Sequence, residues 1–294
     1  MVGCLVRSHR QRGHVVAQRQ ERITWSRLVE RRFGWLRLQR LARYLRLMSR
    51  LCRPGRDLAA IWRLRPGGGF RGPVVLHPRA LGGAPVAVRA GTTDRRTFFT
   101  TFARRFHHPP EAAPARIAGV LDLGANVGYT AADLAARFPS ASIVAVEMDA
   151  ANFAQACRNT LAFRERVRCV RAAVWIDDAG VSYRRGALQD AFAVCVDDGA
   201  CDGPVATAPS MTPGRLLDLL PSGRADFVKV DVEGAEAQLL RPGHAGWLAR
   251  VESLTVELHP PAVPADVQRW LQDAGFTVRR SATHPRALAA WRPR

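Results

Sequence analysis

Val120-Leu121-Asp122-Leu123-Gly124-Ala125-Asn126-Val127-Gly128-Tyr129 is the stretch that decides the fold. Its apolar first half suits a strand, and Gly124 and Gly128 mark a tight turn that opens a helix. Glycine lets the backbone press close to a ligand, and the first turn of a helix offers unpaired N–H donors. Outward from this turn strands and helices alternate. Strands are predicted over 117–123, 142–147, 167–175, 225–231 and 251–258. Helices are predicted over 128–138, 150–162, 213–220, 233–241 and 264–274, and a hairpin over 276–292. Such alternation predicts an α/β fold with a doubly wound, Rossmann-like sheet.

Upstream, short strands at 74–76 and 86–88 flank a Gly82-Gly83 turn, and a helix runs from Arg95 to Phe106 with Asp94 as its N-cap. Residues 180–209 read as irregular, with turns at Asp197-Asp198-Gly199 and Gly203-Pro204 and at most one hairpin. The organisation expected is a basic helical arm over 1–70, partly disordered, a lead-in over 71–112 and a ligand-binding domain over 113–294. In the arm, residues 1–20 lack periodicity, an amphipathic helix spans Trp25 to about Leu51, and Pro54-Gly55 stops it.

Two details of the glycine turn choose its ligand. A carboxylate at Asp122, two residues before Gly124, would repel a pyrophosphate but suits the ammonium group of a methionine moiety. The spacing is Gly124-x-x-x-Gly128, with Asn126 where a dinucleotide fingerprint has glycine. Glu147 ends the next strand and can accept both hydroxyls of a ribose. Together these favour S-adenosylmethionine over a nicotinamide dinucleotide, whose oxidoreductases are the competing class.

Asp226-Phe227-Val228-Lys229-Val230-Asp231-Val232-Glu233-Gly234-Ala235-Glu236 is the second informative run. A lysine inside a buried strand needs a partner, and Asp231 at i+2 is the expected one. Ligands of open α/β sheets lie beyond the carboxyl ends of the strands, so Asp231 and Glu233 are expected at the cleft. Glu257 and His259 end the following strand, where a histidine suits general-base work. Glu257 with Asp231 is also a candidate pair for a hard cation. His77, His107 and His108 have no metal-type spacing with any cysteine, and no metal ligands are assigned on the sequence.

The 294 residues carry 44 basic and 25 acidic side chains, and residues 1–70 hold 17 arginines against Glu21, Glu30 and Asp57. Lys229 is the single lysine, an arginine bias that reflects coding background more than a selected polyanion site. The 47% hydrophobic content excludes wholesale disorder, and arginine interrupts every run long enough to span a membrane. Met1-Val2-Gly3-Cys4-Leu5-Val6 runs straight into Arg7, without a secretory h-region. With six cysteines and no C-x-x-C pair, a reducing, cytoplasmic location is expected.

These residues together resemble the FkbM-type family of S-adenosylmethionine-dependent methyltransferases, over about residues 74 to 280. Val88-Arg89-Ala90-Gly91-Thr92-Thr93-Asp94 is similar to its R-x-G-T-x-D lead-in, and Asp122 to Gly128 match its D-x-G-A-N-x-G loop. Glu147 with Asn152-Phe153 resembles its E-P-x-x-x-N-F motif, Met148 standing in for the proline. Lys229 to Glu236 match K-x-D-x-E-G-A-E, and Glu257-Leu258-His259 its E-x-H strand end. The resemblance implies a class I methyltransferase sheet, with Asp122, Gly124, Asn126 and Gly128 holding the methionine part of the cofactor and Glu147 its ribose. It implies O-methylation of a hydroxyl on a sugar or natural-product acceptor. Asp231 and His259 are the candidate bases, and Lys229 joins them as a candidate catalytic residue.

A nucleic-acid methyltransferase using the basic arm is the other alternative. It is disfavoured because Asp231 and Glu233 at the cleft would repel a phosphate backbone. The arm admits either an anionic membrane or protein contact, or a helix that packs its apolar stripe on the rest of the chain.

Overall fold

The computed structural model describes residues 35–185, 192–195 and 206–293. The expected disordered lead, the first turns of the arm helix and the turns at 197–199 and 203–204 lie outside the described residues.

Two helices come first, α1 over 35–51 and α2 over Pro54–Arg63. Strands β1 (Gly72–Leu76) and β2 (Val86–Ala90) pair antiparallel, and α3 (Asp94–Phe99) runs on into a wider π-type turn over Thr100–Arg104. There follow β3 (Gly119–Leu123), α4 (Tyr129–Arg137), β4 (Ser142–Val146), α5 (Ala150–Asn159), β5 (Val167–Val170) and β6 (Ala173–Val174). Next come β7 (Val181–Arg185), β8 (Phe192–Cys195), β9 (Ala206–Ala208), β10 (Ser210–Met211) and α6 (Pro213–Leu217). The chain closes with β11 (Phe227–Val230), α7 (Glu236–Leu240), β12 (Ser253–Glu257), α8 (Pro264–Asp273), β13 (Thr277–Arg280) and β14 (Ala287–Trp291).

The central sheet has seven strands in the order β13-β14-β12-β11-β3-β4-β5. Its five inner and outer strands from β12 to β5 are parallel, and β14 runs antiparallel between β12 and β13. The doubly wound α/β fold is therefore present. β3 is buried along its whole length, as a central strand covered on both faces must be. Leu121, Leu123, Val144, Val146, Val228 and Val230 fill one face, and Val120, Ile143, Ala145 and Phe227 pack with α4 on the other.

Three expectations change. The strand predicted over 167–175 breaks after Val170, because β4 ends at Val146, and Ala173–Val174 pairs with Ser210–Met211 instead. The helix predicted from 233 begins at Glu236, because Glu233 and Gly234 take left-handed backbone (φ 51° and 107°). Residues 180–209, read as irregular, contain a three-stranded sheet in the order β8-β7-β9.

The amino-terminal helices pack on the body. Tyr44, Met48, Cys52, Ile61 and Leu64 share one apolar cluster with Val74, Leu76, Val86, Val88, Phe98, Phe102 and, from α4, Tyr129 and Ala132. Polar ties close this layer: Tyr44 Oη donates to Ile61 O at 2.7 Å, and Asp57 accepts from His77 N and Nδ1 at 2.9 and 2.7 Å. Among the described residues no helix is long and apolar enough to cross a membrane.

Candidate active site

The carboxyl ends of β3, β4, β11 and β12 meet around the glycine turn. Gly124 has φ 82°, and a Cβ built there would lie 1.8 Å from the carbonyl oxygen of Asp231. Only glycine lets the ends of β3 and β11 approach this closely. At Gly128 (φ 80°) a Cβ would sit 2.8 Å from Cα of Ala156, so this glycine lets α4 and α5 pack. Asn126 takes left-handed backbone (φ 49°), and its N–H donates to Glu147 Oε2 at 2.9 Å. Asp149 N–H donates to the other oxygen of Glu147 at 2.8 Å. Burial pushes the Glu147 carboxyl up to about 7, against the pull of those two N–H donors.

Gly124, Asn126, Glu147, Met148, Ala172, Ala173, Val174 and Val232 line a narrow slot of about 70 Å3. Through Gly124, Asn126, Asp231 and Glu233 it joins a larger cavity of about 560 Å3, walled also by Thr255, Glu257, His284 and Arg286 and by α3 residues Arg95 and Phe99.

Lys229 lies at this junction, on the wall of the larger cavity. Its Nζ is 3.3 Å from Asp122 Oδ1 and 3.3 Å from Asp231 Oδ2, and it donates to Gly124 O at 2.9 Å. Register places Lys229 directly opposite Asp122 on the neighbouring strand. Burial works against the ammonium charge, but Asp231 and Asp122 outweigh it and hold the lysine above its ordinary range. Burial raises the Asp122 carboxyl, with Lys229 pulling it back. Asp122 corrects an expectation: it is fully enclosed and lies on the wall of neither cavity, so it acts on the site through Lys229. Gly128 likewise serves helix packing and lines neither cavity.

His259 gathers the remaining acids. Its Nδ1–H donates to Glu236 Oε1 at 2.9 Å, and Glu236 is itself fixed by N–H donors from Val232 and Gly234 at 3.2 and 3.0 Å. Nε2 faces Glu257 Oε1, Glu233 Oε2 and Asp231 Oδ1 at 3.5, 3.6 and 4.0 Å. Burial opposes charge on this ring, but Glu236, Glu257 and Glu233 prevail and raise it to about 10. Burial lifts Glu233 to about 7 against the opposing pull of His259. Glu257 is depressed to about 2, because His259, His284 and Arg286 outweigh its burial.

The methyltransferase FkbM domain matches residues 122–278, just over half of the chain. The chain belongs to this family and is a methyltransferase. No curated protein matches the chain. Solved structures resemble this FkbM protein at low identity. A precorrin-6y C5,15-methyltransferase from Geobacter metallireducens is 12% identical, covering 63% of this chain and 94% of its own (TM-score 0.37). A methyltransferase from Geobacter sulfurreducens is 13% identical over 70% of this chain and 82% of its own (TM-score 0.36). A Streptococcus pneumoniae protein described as a tRNA (m1A22) methyltransferase, solved with S-adenosyl-L-methionine, is 16% identical over 68% and 71% (TM-score 0.35). At these TM-scores the likenesses carry no information about the acceptor.

The other motifs of the FkbM protein have structural work to do. Arg89 makes a two-pronged bond to Asp94 (both 2.8 Å) and reaches Asn152 Oδ1 at 2.8 Å, which ties the lead-in to α5. His107 and His108, given no metal role on the sequence, both meet Asp133 Oδ2 at 2.9 Å. Sequence reasoning missed Glu236 as the anchor of His259, Arg286 against Glu257, and the α3 wall. Only the Glu233-Gly234-Ala235-Glu236 spacing after the strand carried a signal, since an acid three residues past Glu233 can turn back onto the strand end.

Proposed function

We propose that the protein uses S-adenosylmethionine to methylate a hydroxyl of a small-molecule or glycan acceptor. The observation that carries this reading is Glu147, whose two oxygens are each held by one backbone N–H beside the glycine turn. A carboxylate so fixed retains lone pairs for a vicinal diol, which suits a ribose. The slot beyond it, walled by Met148, Ala172, Ala173 and Val174, is apolar and narrow, which suits a flat purine. Gly124 and Asn126, at the junction with the larger cavity, are placed for the methionine part.

When bound, this cofactor supplies an electrophilic methyl group on a sulfonium centre. The chain's task is then alignment and proton removal. Lys229 fixes the backbone at Gly124 O and orients Asp231 through Oδ2, leaving Oδ1 toward the acids around His259. Asp231 and Glu233, the carboxylates on both cavity walls, would take the hydroxyl proton of an acceptor as its oxygen receives the methyl group from sulfur. His259, locked by Glu236, positions those acids. A cytoplasmic location accords with the free thiols of Cys52, Cys157 and Cys169.

Titration calorimetry with S-adenosylmethionine tests the reading. Micromolar binding by the full chain, weakened at least tenfold in Glu147→Ala, is expected. Absence of binding by the folded wild-type chain overturns it.

A further inference from the structure

We propose that Asp231, Glu257 and His259 hold one divalent cation at the floor of the larger cavity. Their ligand atoms lie within 4.8 Å of one another. The His259 side chain is nine-tenths buried, and among the described residues no carboxylate oxygen lies closer than 3.5 Å to its Nε2. Charge-assisted hydrogen bonds to carboxylates run at about 2.7–2.9 Å. Ligands around one cation bound at about 2.1–2.4 Å stand about 3–4 Å apart. The observed spacing, 3.5 Å from Nε2 to Glu257 and 4.0 Å to Asp231, fits donors arranged about a shared ion.

A second observation is independent of the acids on the cavity wall. Glu236 is completely buried, is pinned by two backbone N–H groups, and takes the Nδ1–H of His259. That bond occupies Nδ1 and leaves Nε2 as the atom a cation would take in exchange for its proton, the arrangement that supports metal-bound imidazoles. Asp231 offers Oδ1 while Lys229 occupies Oδ2. Glu257 Oε1, the oxygen that faces Nε2, is also the one Arg286 braces, which fixes its place at the site. Two carboxylates and one imidazole suit Mn2+ or Mg2+ with open positions toward the cavity.

The role of the cation rests on the methyl-transfer reading. An acceptor hydroxyl bound at an open position becomes more acidic. Its proton would pass to Glu233, the remaining carboxylate on the wall, as the oxygen bonds to the methyl carbon and the carbon–sulfur bond breaks to leave a neutral thioether.

Electron paramagnetic resonance titration with Mn2+ alone, without cofactor or acceptor, tests the site on the full chain. One Mn2+ per chain is expected, displaced by Mg2+, with affinity at least tenfold weaker in Glu257→Gln and in His259→Gln. Circular dichroism confirms that each variant is folded, and Glu257→Gln, at a half-buried strand end, stands if His259→Gln does not fold. His108→Gln, in the separate cluster at Asp133, keeps the site. No stoichiometric binding, or binding lost in His108→Gln and kept in Glu257→Gln, overturns the proposal. Because S-adenosylmethionine binding is measured separately, failure of the cation site leaves the methyltransferase reading standing, and the converse also holds.

Discussion

Lys229 and Asp122 face each other across two adjacent parallel strands, Nζ 3.3 Å from Oδ1, in the middle of a fully covered sheet. Removing the lysine strands a carboxylate with no access to water. Lys229→Met is expected to cost about 3–5 kcal/mol, as other broken buried pairs do. Urea unfolding measures it, and adding Asp122→Asn should recover part of the loss, a coupling that two independent sites would not show.

Gly124 gives a steric prediction. Gly124→Ala drives a methyl group into Asp231 O, so the variant should fail to fold or lose cofactor binding entirely. Gly82→Ala is the control: its φ is 64° but nothing lies within 4 Å of the new methyl. It should cost about 1–2 kcal/mol, the left-handed penalty alone. Thermal unfolding of both distinguishes crowding from backbone strain.

Glu147 sets a pH dependence. Its carboxyl is raised from 4.5 to about 7, so between those values the folded chain holds a proton that the unfolded chain has released. Stability from this group therefore falls as pH rises from about 4.5 to 7 and is constant above, a loss on the order of 3 kcal/mol. Ribose recognition needs the ionised form, so S-adenosylmethionine affinity should climb through about pH 7. Glu147→Gln should flatten both profiles, read by thermal melts without ligand and by calorimetry.

Asp231→Asn tests proton removal. It keeps the size of the side chain and its place on both cavities but takes away the negative charge. With an acceptor in hand, kcat should fall about 10²–10⁴-fold while affinity for S-adenosylmethionine changes less than about tenfold.

Met48 reports on the amino-terminal layer. It is 1% exposed within the cluster that reaches α4. Met48→Ala should destabilise by about 2–5 kcal/mol in guanidinium unfolding. Exposed Arg43→Ala, one helix face away, should stay within about 0.5 kcal/mol.

Periodicity and turn chemistry made the sheet legible, because a buried parallel strand followed by a glycine turn leaves few other solutions. The pairing of Lys229 with Asp231 was legible too, since i and i+2 share a strand face. The pairing with Asp122 was not, because it depends on how β11 registers against β3 across 107 residues of sequence. Glu236 escaped for a related reason: its partner His259 comes from a different strand end, 23 residues on. The role expected of Asp122 failed on burial, since a strand-end carboxylate reads the same whether it opens on a cleft or on a lysine.

Tyr129, the first residue of α4, is buried against Phe98 and Phe102 and donates to Ala87 O at 2.8 Å. The helix that carries the glycine turn is thus fastened to β2 and, through the shared cluster, to the first two helices. Grafting experiments between relatives must respect that seam. A chimera cut just ahead of β3 would expose an aromatic face that the host never evolved to cover, whereas one that transfers residues 35–293 as a block carries its own lining.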